Sequence, residues 1–302
     1  MHAPDTRPLP PSFAQIWVSA LRPRTLAAGS VPVLVGAALV SRSGGLNVAI
    51  TLACLAGALL LQVASNFAND AFDTLKGADT EARLGPARAT QRGWTTARQM
   101  LFATALVVLA ALLVGAWLVS LGGWPIALIG LTGAVCAVAY TGGPVPLGYI
   151  GLGDVLVYVY FGLAAVVGTV WLQQPARALE LETWLAASAI GALATAILVV
   201  NNLRDRHTDA ACGKRTLAVR LGSRGTRLEW SLLVASAFVA VGAAALLSGD
   251  AGWWLPWLTS PLAVQTGRSV WREDGGALNP LLGATARLET IFGVLLSLGV
   301  TL

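Results

Sequence analysis

Nine stretches of this chain are apolar over close to the ~20 residues that an α-helix needs to cross a bilayer, at about 25–41, 47–72, 99–120, 124–141, 150–171, 182–202, 229–248, 251–270 and 284–302. A chain with that pattern cannot bury itself as a soluble domain. Hydrophobic residues make up 56% of the sequence and charged residues 12%, about half the charge that soluble domains carry, and mean hydropathy is +0.69. The expected fold is all-α: a polytopic membrane helical bundle of about nine transmembrane helices. Short links at 120–124 and 248–252 suit tight hairpins between spans. The last two spans are the least clearly separated, because Arg268 to Asp274 and Arg287 crowd between them.

Ahead of the spans, residues 1–21 hold Pro4, Pro8, Pro10 and Pro11 and no long apolar run, which fits neither a signal peptide nor a span. Residues 12–21 place Phe13, Ile16 and Trp17 on one side of a short interfacial helix. The expected organisation is therefore an N-terminal segment, 1–21, followed by a single nine-helix domain, 22–302.

Charge orients the bundle. With the N-terminus in the cytoplasm, every Lys and Arg of the 20 except Arg42 and Arg177 falls on the cytoplasmic side, as the positive-inside rule requires. The net charge of +5 is then topogenic and catalytic, and no nucleic-acid partner is expected. The expected location is a cell (inner) membrane with a cytoplasmic N-terminus and cytoplasmic loops.

Two cytoplasmic helix ends carry the same acidic signature. Asn66, Asp70 and Asp73 are spaced i, i+4, i+7 and share one helical face, and Asn201, Asp205 and Asp209 are spaced by four. Carboxylates at a helix C-terminus oppose its partial negative charge unless cations compensate. A divalent metal would do so, and hard oxygen ligands suit Mg²⁺ bridged to phosphate. Asn66, Asp70, Asp73, Asn201, Asp205 and Asp209 are the candidate metal set. Basic residues follow each cluster: Lys76, Arg83, Arg88 and Arg92, then Lys214, Arg215 and Arg220. Their donors match phosphate oxygens, so the pair of loops describes a diphosphate site at the mouth of a bundle.

Weaker signals surround it. Tyr140 and Tyr149 flank a Gly/Pro loop and either stack on a cation or an acceptor, or serve as interface tyrosines. Arg22 and Arg24 either reach the diphosphate or anchor topology. Asp154 opens a span, where an acid serves as a cap, and His207 lies between two acids. Cys54, Cys136 and Cys212 have no metal or disulfide spacing, and the eleven Trp residues read as interface anchors.

At RPRTL (22–26), NDAFDTLKGADTEARLGPARATQRG (69–93), YTGGPVPLGYIGLGD (140–154), NNLRDRHTDAACGKRTLAVRLG (201–222) and LNPLLGATARL (278–288), the chain resembles the UbiA-type intramembrane aromatic prenyltransferases. The strings DT-x-x-R-x-GP-x-R and GKRTLAVRLG are similar to the branch whose acceptor is 1,4-dihydroxy-2-naphthoate. One departure from the general motif supports that branch: Gly77 stands where a third acid is usual, and Asp79 carries the acid instead. The resemblance implies transfer of a polyprenyl group from polyprenyl diphosphate to the naphthoate, with decarboxylation, on the way to menaquinone. It implies Mg²⁺ as cofactor, Asp70, Asp73, Asp205, Asp209, Tyr140 and Tyr149 in catalysis, and Arg22, Asn66, Asn69, Lys76, Asp79, Arg83, Arg88, Asn201, Asn202, Lys214 and Arg215 in substrate binding, with the isoprenoid tail against the lipid bilayer. Related enzymes with hydroxybenzoate, porphyrin or chlorophyllide acceptors are the nearest alternative. A transporter fits less well, since its charges usually lie deep in several spans. A soluble prenyl diphosphate synthase is excluded by the apolar spans.

Overall fold

The computed structural model describes residues 11–78, 84–86 and 88–302, with the side chain of Arg24 outside the described set; Asp79 and Arg83 lie outside it as well. The described residues form helices and no strands. In chain order the α-helices are α1 (Phe13–Leu21), α2 (Pro23–Ser41), α3 (Val48–Leu75), α4 (Ala97–Gly122), α5 (Trp124–Ala139), α6 (Gly153–Val157), α7 (Ala165–Trp171), α8 (Pro175–Ala178), α9 (Leu181–Ala211), α10 (Leu217–Ser248), α11 (Ser260–Arg272) and α12 (Asn279–Thr301).

Among the described residues six helical stretches are long and apolar enough to cross a membrane: α3, α4, Gly153–Trp171, α9, α10 and Gly275–Thr301. A seventh is reached if α1 and α2 count as one bent span. The chain is a multi-pass membrane protein, and nine is an approximate count of its spans. The difference has local causes. The segment over 124–141 yields a 16-residue helix, α5, started by Pro125 at its first turn. The segment over 251–270 begins as a tight 3₁₀ stretch, Ala251–Thr259, with Pro256 inside it, before α11 takes over. Proline removes a backbone donor and breaks the regular ladder.

The core is built around α9. Its middle is rich in Ala and Gly, and Ala186, Ala187, Ala189, Ile190 and Leu193 are fully buried. Small side chains let backbones approach, the usual basis of helix association in lipid. At Gly162 a Cβ would stand 2.6 Å from the Cα of Gly191, so this crossing needs glycine on both helices. Gly162 lies in a π-helical turn, Tyr158–Ala164, between α6 and α7, and such turns recur at functional sites. Outward-facing Phe102, Leu113, Val239 and Leu246 stay exposed, as lipid-facing residues do.

At one end of the bundle α1 folds back on α3. Arg22 joins α1 to α2 in a left-handed conformation (φ 53°), and Trp17 packs edge-on against Phe67 at 5.6 Å. At the opposite end Arg42 pairs with Asp250. The C-terminal ends of α3 and α9 meet at the first of these ends, together with the loops 140–153 and 212–216.

Candidate active site

The three residues expected to share a face of α3 divide between two neighbourhoods. Asn66 donates its side-chain amide to Leu21 O (3.0 Å) and Thr25 Oγ1 (3.2 Å), tying α3 to the α1–α2 corner. Asp70 accepts from the backbone N–H groups of Ala89 (3.1 Å) and Thr90 (3.2 Å) and from the Thr90 hydroxyl. Its carboxylate thus caps the turn that follows Arg88, much as an acid caps a helix N-terminus. Asp73 faces elsewhere. It is 1% exposed and takes Arg88 Nη2 at 2.7 Å, Lys214 Nζ at 3.0 Å and the Tyr149 hydroxyl at 2.6 Å.

Lys214 is the joint between the motifs, since the same ammonium lies 4.0 Å from Asp209. It sits 4.7 Å from the centre of the Tyr149 ring, and Lys76 Nζ sits 5.2 Å from it, cation–π distances. Lys76 also donates to the carbonyls of Thr141 (2.7 Å) and Gly143 (3.2 Å). Partial burial lowers the Lys76 ammonium pKa against the pull of Asp73, and Lys214 lowers it further. Asn69, beside Asp73, accepts from the Thr141 hydroxyl at 2.8 Å. The loop 140–153 is therefore held over the end of α3 by side chains of α3 itself. Its other anchor is the second basic loop, where Arg215 N donates to Tyr149 O (2.7 Å) and Arg220 to Ile150 O (2.8 Å).

Tyr140 stands on glycines: a Cβ at Gly148 would lie 2.8 Å from its ring and one at Gly153 2.7 Å from its hydroxyl.

The second motif is organised by a residue that the spacing did not single out. Arg204 is 2% exposed and grips Asp205 through Nε (2.8 Å) and Nη2 (2.5 Å), while also donating to Asn201 (2.8 Å) and Asn279 (2.9 Å). Reading acids and asparagines at intervals of four passed over the arginine between them, and no spacing rule links it to Asn279 on α12. Asn202 is buried, and Arg215 reaches the site through its backbone, with an exposed side chain. Arg22 is partly buried at the α1–α2 corner. Among the described residues no three acidic, His or Cys side chains cluster closely enough to hold a metal by themselves. The donor set still suits a hard cation shared with a ligand. Asp73 and Asp209, from two helices, already share one positive charge, that of Lys214, and the remaining oxygens would come from a diphosphate.

The family model described as "UbiA prenyltransferase family" matches residues 30–278. The chain belongs to the UbiA prenyltransferase family. Among its relatives, 1,4-dihydroxy-2-naphthoate octaprenyltransferase of Escherichia coli (strain K12) is 38% identical over 96% of both chains. The protein of that description in Mycobacterium tuberculosis is 38% identical over 91% of this chain and 92% of its own. The Bacillus subtilis (strain 168) protein is 32% identical over 98% and 95%. An apo UbiA homolog from Aeropyrum pernix K1 superposes with a TM-score of 0.69 at 17% identity, covering 89% of this chain and 96% of that one. A UbiA homolog from Archaeoglobus fulgidus bound to DMAPP and Mg²⁺ gives 0.63 at 15% identity, over 93% and 98%. The fold is that of UbiA membrane prenyltransferases.

Proposed function

We propose that this UbiA-family chain transfers a polyprenyl group from polyprenyl diphosphate to 1,4-dihydroxy-2-naphthoate, with loss of the carboxyl group, in menaquinone biosynthesis. The observation that carries the reading is the convergence of Asp73 and Asp209, one from each motif, on Lys214, with Arg88 and Tyr149 completing the shell. The relatives at 32–38% identity over nearly the whole chain support the naphthoate acceptor. The A. fulgidus homolog bound to DMAPP and Mg²⁺ supports a divalent metal. The domain assignment, 1–21 ahead of one membrane-embedded catalytic unit over 22–302, belongs to the same proposal, as does a cytoplasmic face for the site.

The chemistry follows from the groups present. Mg²⁺ held by Asp73 and Asp209, with Asp205 behind them, would neutralise charge on the departing pyrophosphate. Arg88 and Lys214 turn their donors from Asp73 to the diphosphate oxygens, Arg88 through a planar fork and Lys214 as a point charge. The allylic C–O bond breaks with its electron pair on pyrophosphate, a naphthoate ring carbon forms the new C–C bond, and the carboxyl group leaves as CO₂. Tyr140 and Tyr149 offer π-faces to the allylic cation, and the Gly/Pro loop they flank keeps water from it. Asn66 and Asp70 support this site from behind, by fixing the α1–α2 corner and the turn after Arg88. Asn69, Lys76, Asn201, Asn202 and Arg215 frame its rim.

The test is a transfer assay on purified protein with one polyprenyl diphosphate and a panel of aromatic acceptors. Prenylated, decarboxylated product from the naphthoate, abolished by EDTA and restored by Mg²⁺, is expected. Turnover of hydroxybenzoate in place of the naphthoate would overturn the acceptor, and turnover without divalent metal would overturn the metal.

A further inference from the structure

The string at 278–288 has no part in the reading above, and Arg204 is a cation at the site that faces no open space. These two facts have one explanation. Arg204 commits four of its five N–H donors to Asp205, Asn201 and Asn279 and is 2% exposed, so it is placed to hold its neighbours and not to reach a diphosphate. Asn279, at the start of α12, accepts from Arg204 with its carbonyl and donates with its amide to Leu84 O at 2.9 Å. The next residue, Gly85, lies against the same guanidinium: a Cβ there would stand 2.7 Å from Arg204 Nη2. A few residues on, Arg88 reaches Asp73, and the N–H groups of Ala89 and Thr90 donate to the Asp70 carboxylate. Polar contacts thus run from the second motif through α12 to the loop that supplies a cation to the first.

We propose that Asn279 and Arg204 are positioning residues that couple the two acidic motifs, seating Leu84 and Gly85 so that Arg88 is delivered to the diphosphate site. The inference rests on the diphosphate reading above. Arg204 holds Asp205 in one orientation from the same place at which it fixes the loop, so the two halves of the site are assembled together.

A double-mutant cycle on the full chain tests it, with binding of Mg²⁺–pyrophosphate as the readout and no aromatic acceptor present. Asn279→Asp keeps an acceptor for Arg204 but loses the donor to Leu84 O. It should weaken binding about tenfold, as Arg88→Ala should, and the double variant should be no worse than the weaker single, because coupled residues depart from additivity. Additive losses, or wild-type affinity in Asn279→Asp, would overturn the coupling. Gly85→Ala presses on the same loop from the Arg204 side and should reproduce the loss if Asn279 variants fold poorly. Hydrogen exchange reads the coupling without ligand: amides over 88–92 should exchange faster in Asn279→Asp, and unchanged exchange would overturn the proposal. Wild-type protein that binds no Mg²⁺–pyrophosphate would strike the diphosphate reading itself, leaving the exchange result to decide the coupling.

Discussion

The ends of α3 and α9 carry a similar pattern, an asparagine followed at intervals by aspartates, and they neutralise Asp73 and Asp205 in opposite ways. On α9 the partner is next in sequence, Arg204 gripping Asp205. On α3 the partners of Asp73 come from 15, 76 and 141 residues away. A carboxylate clamped by its neighbour is held whatever the loops do, whereas one served by three loops is assembled only when all three are in place. Asp73 is therefore the carboxylate at which the three loops meet, the place where the proposed ligand and metal would gather, and Asp205 is a fixed wall behind it.

The largest expected effect follows from that asymmetry. Asp73→Asn should lower kcat by at least about a thousandfold through lost charge stabilisation. Asp70→Asn should act first on the turn after Arg88 and show a fall in thermal stability alongside a smaller loss of rate. Equal kinetic losses in both variants, with no change in stability, would break the division drawn within α3.

Next comes the clamp. Arg204→Gln leaves Asp205 buried without its partner, and breaking such a pair costs about 3–5 kcal/mol, so a marked drop in unfolding temperature is expected. Lys214→Gln removes a more accessible cation and should destabilise less. Its signature is kinetic: Lys214→Ala should raise KM for the prenyl diphosphate more than for the acceptor, and Tyr149→Ala should do the reverse or depress kcat. Identical effects of Lys214→Ala and Tyr149→Ala on both substrates would show that cation and ring do not divide the labour.

The smallest effect lies at the far end of the bundle. The pair of Arg42 with Asp250 is partly exposed, and such pairs contribute about 0–1 kcal/mol. The N–H of Gly252, then Arg42, holds the Asp250 carboxyl below its ordinary range. A lowered folded value means that the stabilisation is present at neutral pH and is lost as pH falls through and below the ordinary carboxylate range of about 3.9. Arg42→Ala should leave transfer unchanged at pH 7 and flatten the acid limb of the stability curve. A loss of activity in that variant would tie the two ends of the bundle together.

Much of this was legible in the sequence because lipid imposes a length and a polarity on every span. The apolar runs match α2–α5, Gly153–Trp171, α9, α10 and α12, while hydropathy alone hid the irregular start of the eighth segment, which Pro256 and Pro261 impose. The basic loops and both tyrosines were found by charge and loop composition, and the structure brings Arg88, Lys214 and Tyr149 to one carboxylate. The spacing of Asn66, Asp70 and Asp73 says that they share a broad face. It cannot say that the turn at 89–90 covers one part of that face and Lys214 another, because those partners are fixed by tertiary contacts. Arg204 and Asn279 escaped for the same reason, since their roles exist only once α9 and α12 are packed side by side.

If the ends of α3 and α9 make one diphosphate site, neither Asp73 nor Asp209 binds the ligand without the other. Calorimetric titration of the purified protein with a non-hydrolysable polyprenyl diphosphate analogue and Mg²⁺ tests it most directly. One analogue should bind per chain, with binding lost in Asp73→Asn and equally in Asp209→Asn. Full Mg²⁺-dependent binding retained by either variant would contradict it.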